Sequence, residues 1–409
     1  MRLDERLLQD YRRTFELMQR LGFNEIVIWG FYVANAWPVD IRSAVTPERG
    51  RRVEQLIHLA HQRGLKVLSG LGVYSWGFER IIRANPKLNR GNSNAMCASE
   101  PESWEWMRRV VDFVFKRFDI DGVSMQSADL GRCKCERCAA FNDAEYHAVL
   151  NVRTAEYIRS RWPKKIIGVS SWGMNFGNPA NRASLLKMAK ALDYLVDFNN
   201  SSRHGGPAYR RDLIPALPCD FGTLGGLQVE PPQHWARDRW FLPTCRRINE
   251  HLRQLAADGG RACEFFFHIL ANPSSELTFH VAGRTLADPR VTTEKALAAT
   301  IDELYRPKSN SARDDLARLI LEAEEAYFQP IDPAECGTLS LEPLVGDKAG
   351  PPIYLTQRLN ATQRADYARR LRAIKEEADN LRAEVGDAQR MENVARCLEN
   401  GIKDLAQHP

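Results

Sequence analysis

Along its first 270 or so residues the chain alternates between two hydrophobic rhythms. Amphipathic stretches with a period near 3.6 are followed by short β-branched or aromatic runs, and then by loops of Gly, Asn, Ser and Pro. The short runs predict strands at 25–30 (EIVIWG), 66–74 (KVLSGLGVY), 121–127 (DGVSMQS), 166–172 (IIGVSSW), 194–200 (YLVDFNN), 220–226 (DFGTLGG) and 262–268 (ACEFFFH). Between them lie helical stretches such as WEWMRRVVDFVFKRF, where Trp104, Met107, Val111, Val114 and Phe118 make one apolar stripe. Strand and helix in regular alternation predict a parallel α/β fold, and the length suits a (β/α)8 TIM-like barrel of about 250 residues or more. Seven strands are visible where a closed barrel needs eight. Leu3 to Leu21 therefore reads as the first barrel helix, with its preceding strand absent or replaced. The competing architecture is an open doubly wound sheet, which would be expected to carry a Gly-rich phosphate turn that these strand ends lack.

After residue 290 the strand rhythm stops. Helices are predicted over 292–307 and 312–328, a Pro- and Gly-rich connection over 330–357, and helices again over 361–406. In that last stretch Leu371, Ile374, Ala378, Leu381 and Val385 keep near-heptad spacing. The expected organisation is a barrel over 1–290 and a helical C-terminal region over 291–409. The amphipathic C-terminal helices also suit packing on a second subunit, so a homodimer is a candidate assembly.

Composition narrows the class. A net charge of +5 arises from 57 basic and 52 acidic residues spread along the chain, so there is no concentrated basic field and nucleic acid is not an expected partner. No run approaches the roughly 18 uninterrupted apolar residues of a membrane span, and none is expected. The opening MRLDERLLQDYRRTFELM lacks the apolar core of a secretory signal, which predicts a cytoplasmic protein unless the N-terminus is truncated.

In parallel barrels the reactive groups gather at the carboxyl ends of the strands. Reading those exits gives Trp29; Tyr74 and Trp76; Asp129; Trp172; then Asp197, Asn199, Arg203 and His204; then Glu230; and finally Glu264 and His268. Indole and phenol rings mixed with amides, a few carboxylates and His suit a sugar, whose C–H faces stack on aromatics while its hydroxyls need donors and acceptors. Glycosidic cleavage commonly uses two carboxyl groups about 5 to 9.5 Å apart. Asp129 and Glu230 are the expected pair, with Asp129 the acid, because it follows a buried strand, and Glu230 the base or nucleophile. Trp29, Tyr74, Trp76, Trp172, Asp197, Asn199, Arg203, His204, Glu264 and His268 are the expected substrate contacts. Two other readings of the same rim stay open. One is a non-catalytic carbohydrate-binding barrel; the other is a sugar isomerase or epimerase whose divalent ion is held by Asp197, His204, Glu264 and His268.

Nine cysteines are no disulfide scaffold, but Cys133, Cys135 and Cys138 form a tight Cys-x-Cys-x-x-Cys run, and Cys97 lies on the preceding βα loop. Four thiolates would complete a closed, structural zinc site; a disulfide and free thiols are the alternatives. No organic cofactor is expected.

The stretch DGVSMQSADLGRCKCERC, preceded by NAMCASEPESWEWM, resembles the barrel glycoside hydrolases related to the α-glucuronidases of family 67 and the β-N-acetylhexosaminidases of family 20, especially relatives with a Cys-x-Cys-x-x-Cys loop. The resemblance spans residues 1 to 300 in element order, and its specific part is 94–138. It implies an exo-acting glycosidase with a (β/α)8 catalytic domain, a helical C-terminal region and a strand ahead of the first helix. The family 20 acid pair is Asp followed by Glu, whereas here Asp129 is followed by Leu130, so that substrate-assisted mechanism does not carry over.

Overall fold

The computed structural model describes residues 4–30, 36–89, 94–128, 130–171, 174, 178–197, 211–224, 240–265, 272–328 and 360–407. Seven parallel strands form one curled sheet in the order β1 (Glu25–Trp29), β2 (Lys66–Gly72), β3 (Gly122–Gln126), β4 (Ile166–Ser170), β5 (Tyr194–Asp197), β6 (Asp220–Leu224) and β7 (Ala262–Glu264). Each strand neighbours the next in sequence, as a TIM-like barrel requires, and α-helices occupy the connections other than β5–β6, where the described residues hold only a 3-10 turn at Ile214–Ala216. All seven predicted strands are present. Each ends before its predicted run does, and the last residues of the β5, β6 and β7 runs lie outside the described residues. No eighth strand occurs among the described residues, and the chain enters β1 from α1 (Glu5–Arg20).

The helices start where side chains can cap them. Thr46 opens α2 (Pro47–His61), and Asn142 with Glu145 makes a reciprocal capping box at α6 (Asp143–Arg161). In α4 (Pro101–Arg117) the expected apolar stripe is buried at Met107, Val111 and Val114, with Phe118 just beyond, and departs from expectation only at Trp104. Trp106 is buried with Met107, Val110, Val111 and Val114, while Trp104 is half-buried with the Arg153 guanidinium over its ring at 4.3 Å. Sequence spacing alone does not separate two tryptophans two residues apart; the arginine that covers one of them does.

The amino ends of the strands are closed by carboxylates. Asp121, just ahead of β3, accepts from the Val67 N–H at 2.7 Å and from His61 at 2.8 Å. Asp193, just ahead of β5, accepts from the Ile167 N–H at 2.7 Å and from Arg159 at 2.8 Å. In each case an acid before one strand satisfies a backbone donor near the start of its neighbour, an obligation of any buried backbone group. That end of the sheet is committed to structure.

The chain divides into two compact units: Met1–Asn199 with Tyr209–Thr223 and Gly259–Ala262, and Asn200–Ala208 with Leu224–Asp258 and Cys263–Pro409. In the second, Glu324 of α11 (Asn310–Phe328) accepts from the Arg246 and Arg247 N–H groups at 2.9 and 3.0 Å, closing the start of α8 (Cys245–Ala257). The C-terminal helices α12 (Ala361–Leu381) and α13 (Ala388–Gln407) pack as a hairpin. Leu371, Ile374, Ala378, Leu381 and Val385 are all buried there, as their spacing predicts. Residues 330–357 lie outside the described residues. Among the described residues no helix is long and apolar enough to cross a membrane.

Candidate functional site

The exits of β1 and β2 carry the first built feature. Trp29 ends β1 opposite Gly70, and its indole lies over that glycine so closely that a Cβ there would come within 2.1 Å of the ring. Trp76, four residues beyond β2, meets Trp29 edge to face with centroids 5.0 Å apart, and both indoles remain half-exposed. Such T-shaped contact matches the quadrupoles of the rings.

The backbone that presents Trp76 is strained. Tyr74 and Trp76 both adopt left-handed conformations, with φ of +64° and +52°. Bulky residues rarely adopt that region, which costs on the order of 1–3 kcal/mol each and persists where the surroundings over-determine it. Here they do. Ser75 bridges to Ala95, the Met96 N–H donates to the Tyr74 carbonyl at 2.8 Å, and the Trp37 N–H donates to the Gly77 carbonyl at 2.7 Å. The turn serves to place one indole beside another.

Tyr74 itself points elsewhere. Its ring is buried, and burial, partly offset by the Arg153 guanidinium, pushes its phenol up to about 12.

The β3 exit is clamped by groups that sequence reading missed. The Ser75 hydroxyl donates to the Ser127 carbonyl at 2.9 Å, and the amide of Asn151, wholly buried on α6, donates to the Ser127 hydroxyl at 3.1 Å. These residues are distant in sequence and individually ordinary, so only the fold reveals them. Ser127 lies two positions before Asp129, which is outside the described residues, as are Glu230, Trp172, Asn199, Arg203, His204 and His268.

Two further exit carboxyls are described. Asp197 closes β5, is 1% exposed, and accepts from the Ser171 hydroxyl at 3.2 Å. Glu264 closes β7, and its Oε2 is buried without a hydrogen-bond partner. Burial pushes that carboxyl up to about 7. Asn272, the last residue of the β7 exit, is spent on structure: it caps α9 (Pro273–Ala287) and donates to the Trp240 carbonyl at 2.7 Å.

The four cysteines converge. The sulfurs of Cys97, Cys133, Cys135 and Cys138 all lie within 4.8 Å of one another, with Cys97 at 3.7 Å from Cys135 and 3.9 Å from Cys138. A tetrahedral centre with metal–sulfur bonds of about 2.3 Å has an edge of about 3.8 Å. The donor chemistry and spacing thus fit a structural metal, and the four are free thiols rather than disulfide partners. Burial pushes Cys97 up to about 11. It opposes ionisation of Cys135 too, but there hydrogen bonds from the Cys138 backbone and the neighbouring thiols outweigh it and hold the thiol at about 7.

The cluster's frame is local. Gly131 takes φ of +75° to turn the chain, and the Cys133 N–H donates to the Tyr146 hydroxyl, which donates in turn to the Met96 carbonyl, both at 3.4 Å. Arg132 donates to the Cys138 and Phe141 carbonyls at 3.2 and 2.9 Å and pairs with Asp143 at 2.7 Å. The loop after β2 and the loop after β3 are thereby tied at one point.

No protein-family model matches the chain, and comparison with curated proteins finds no match. Solved structures do. A mutant of the Thermobaculum terrenum O-GlcNAc hydrolase aligns with 98% of this chain and 80% of its own at 13% identity, with a TM-score of 0.57. A GH138 enzyme targeting pectin rhamnogalacturonan II aligns with 96% of this chain at 9% identity and a TM-score of 0.64, this chain spanning about half (52%) of its length. The structure of CpGH84B aligns with 98% of this chain and 66% of its own at 8% identity, with a TM-score of 0.54. At these identities the likeness is one of fold, and it bears out the resemblance to glycoside hydrolase barrels at that level.

Proposed function

We propose that this protein is a glycoside hydrolase, exo-acting, which cleaves its sugar at the carboxyl ends of the barrel strands by acid/base chemistry of carboxyl groups. The observation that carries this is the indole pair Trp29–Trp76, held half-exposed at adjacent strand exits by a left-handed backbone. Strained backbone of this kind clusters at ligand and catalytic sites. The likeness in fold to an O-GlcNAc hydrolase and to an enzyme acting on rhamnogalacturonan II supports the same reading. Asp129 and Glu230 belong to the proposed chemistry, and Asp197, with the remaining exit residues of the sequence reading, to substrate contact.

The deciding experiment is a screen of chromogenic glycosides and uronides, N-acetylglucosaminides and pectic sugars among them. Hydrolysis of one class is expected, and Asp129→Asn should lower its kcat at least about a hundredfold. A folded wild type that binds sugars yet turns over none of the panel identifies the carbohydrate-binding alternative instead.

Trp76→Gly separates presentation from folding. Glycine removes the left-handed penalty, so its stability should stay within about 1 kcal/mol of wild type. Loss of the ring should weaken glycoside binding about tenfold, equivalent to about 1.4 kcal/mol. Calorimetric titration and a thermal melt of the same preparation check both, and unchanged affinity would remove Trp76 from the site.

We also propose that the cysteine cluster holds one structural zinc ion. Bound there, zinc would be a closed tetrahedral fastener with no open position for water, and its ligands would be Cys97, Cys133, Cys135 and Cys138.

A further inference from the structure

Glu264 is anomalous among the described carboxyl groups. Phe265, next in sequence, packs edge to face on Phe279 of α9 with centroids 6.2 Å apart, which turns it toward the helix layer. Within β7 Glu264 shares its face with Ala262, whose Cβ abuts Gly222 of β6, and strand register puts Gly222 on the face of the sheet that carries Gly168, Gly70 and Trp29. In a parallel sheet with helices outside, that is the inner face. It also stands last in its strand, at the end where barrels hold their chemistry.

On that inner face its Oε2 has no hydrogen-bond partner and no contact with solvent. Buried polar atoms are almost always satisfied, and the exceptions mark strain, a missing ligand or a catalytic role. Among the described residues no charged side chain acts on the group, and burial raises its affinity for a proton. A solitary ionised carboxylate in such a place would cost several kcal/mol, so near neutral pH it retains its proton and is an O–H donor without an acceptor.

We propose that Glu264 is the proton donor of the hydrolase reaction, a role that rests on the glycosidase reading and leaves Asp129 and Glu230 to activate water or attack the sugar carbon. In the step, the Glu264 O–H bond breaks and its proton passes to the glycosidic oxygen. The C–O bond to the sugar carbon breaks, and its electron pair stays with the departing oxygen. Water supplies the new C–O bond at the sugar carbon, and the proton that water loses restores Glu264, so the net reaction is hydrolysis alone.

The test is the leaving-group dependence of Glu264→Gln. On a glycoside with a poor leaving group, an alkyl or natural sugar aglycone, kcat/KM should fall about 10²–10⁴-fold. On the matching 2,4-dinitrophenyl glycoside, whose leaving group needs no proton, it should stay close to wild type. The wild-type kcat/KM should decline as pH rises through about 7, and that limb should vanish in the variant. Equal losses on both substrates, or no loss on either, would overturn the assignment while leaving the hydrolase standing. Absence of any wild-type hydrolysis would instead bring down the glycosidase reading and this role with it. Should Glu264→Gln fail to fold, infrared titration of wild type decides: a protonated-carboxyl band that titrates near pH 7 and shifts on binding an unhydrolysed thioglycoside supports the role, and a band that ignores the ligand defeats it.

Discussion

Removing metal from the cysteine cluster should lower the stability of this protein by at least about 4 kcal/mol, the linkage value for a ligand present at a thousandfold excess over its Kd. Four thiols within 4.8 Å of one another form an unfavourable arrangement without a cation, because three of them are buried and none is bonded to another. Structural zinc sites reach apparent binding free energies of about 10–16 kcal/mol in small fingers, where metal and fold are one equilibrium. In this chain the sheet and its helices already supply a core, so the penalty should concentrate in the two tied loops. Dialysis against a strong chelator, or Cys97→Ser, should therefore lower Tm markedly and raise amide exchange across 94–97 and 128–142 before it does so in β2 or β3. Metal analysis should return one zinc per chain. A preparation with no zinc, four titratable thiols and an unshifted melt would remove the metal and leave a thiol cluster.

The same loops show what was legible in the sequence. Cysteine spacing and barrel topology together identify Cys97 as the fourth member, since consecutive βα loops are neighbours. All seven strands are legible, because β-branched runs and the 3.6-residue period of the intervening helices report burial directly. What escapes is whatever depends on two distant residues at once. Neither Ser127 nor Asn151 stands out, yet Asn151 reaches from α6 to hold the β3 exit, and Ser75 holds it from the β2 side. The left-handed backbone at Tyr74 and Trp76 is illegible for another reason. Local propensity argues against it at bulky residues, and only the bonds from Met96 and Trp37 force it.

Tyr74 and Glu264 extend the lesson. Proximity to a strand exit selects both, but the face to which a side chain turns depends on where its strand ends. β2 ends at Gly72, so the following turn breaks the alternation, and Tyr74 goes under the loop. In β7 Glu264 is still a strand residue and shares its face with Ala262, which sits against Gly222 of β6.

Glu264 should also announce itself in stability. Its ordinary pKa of 4.5 is raised to about 7 in the fold, so the folded chain holds this proton more tightly than the unfolded chain does. The contribution is fully present below pH 4.5, shrinks as pH rises, and is lost above about 7. At about 1.36 kcal/mol per pH unit, the loss totals about 3 kcal/mol across that window. Glutamine carries no such titration, so any cost of burying its amide is the same at every pH. In urea denaturation the stability of Glu264→Gln relative to wild type should therefore improve by about 3 kcal/mol between pH 4.5 and 8, with the change confined to that interval. Curves that run parallel throughout would mean that Glu264 ionises freely in the fold. A group that costs the native state this much at neutral pH, at a strand exit and with one carboxyl oxygen buried without a partner, is kept at the expense of stability, the pattern expected where activity rather than folding sets the residue.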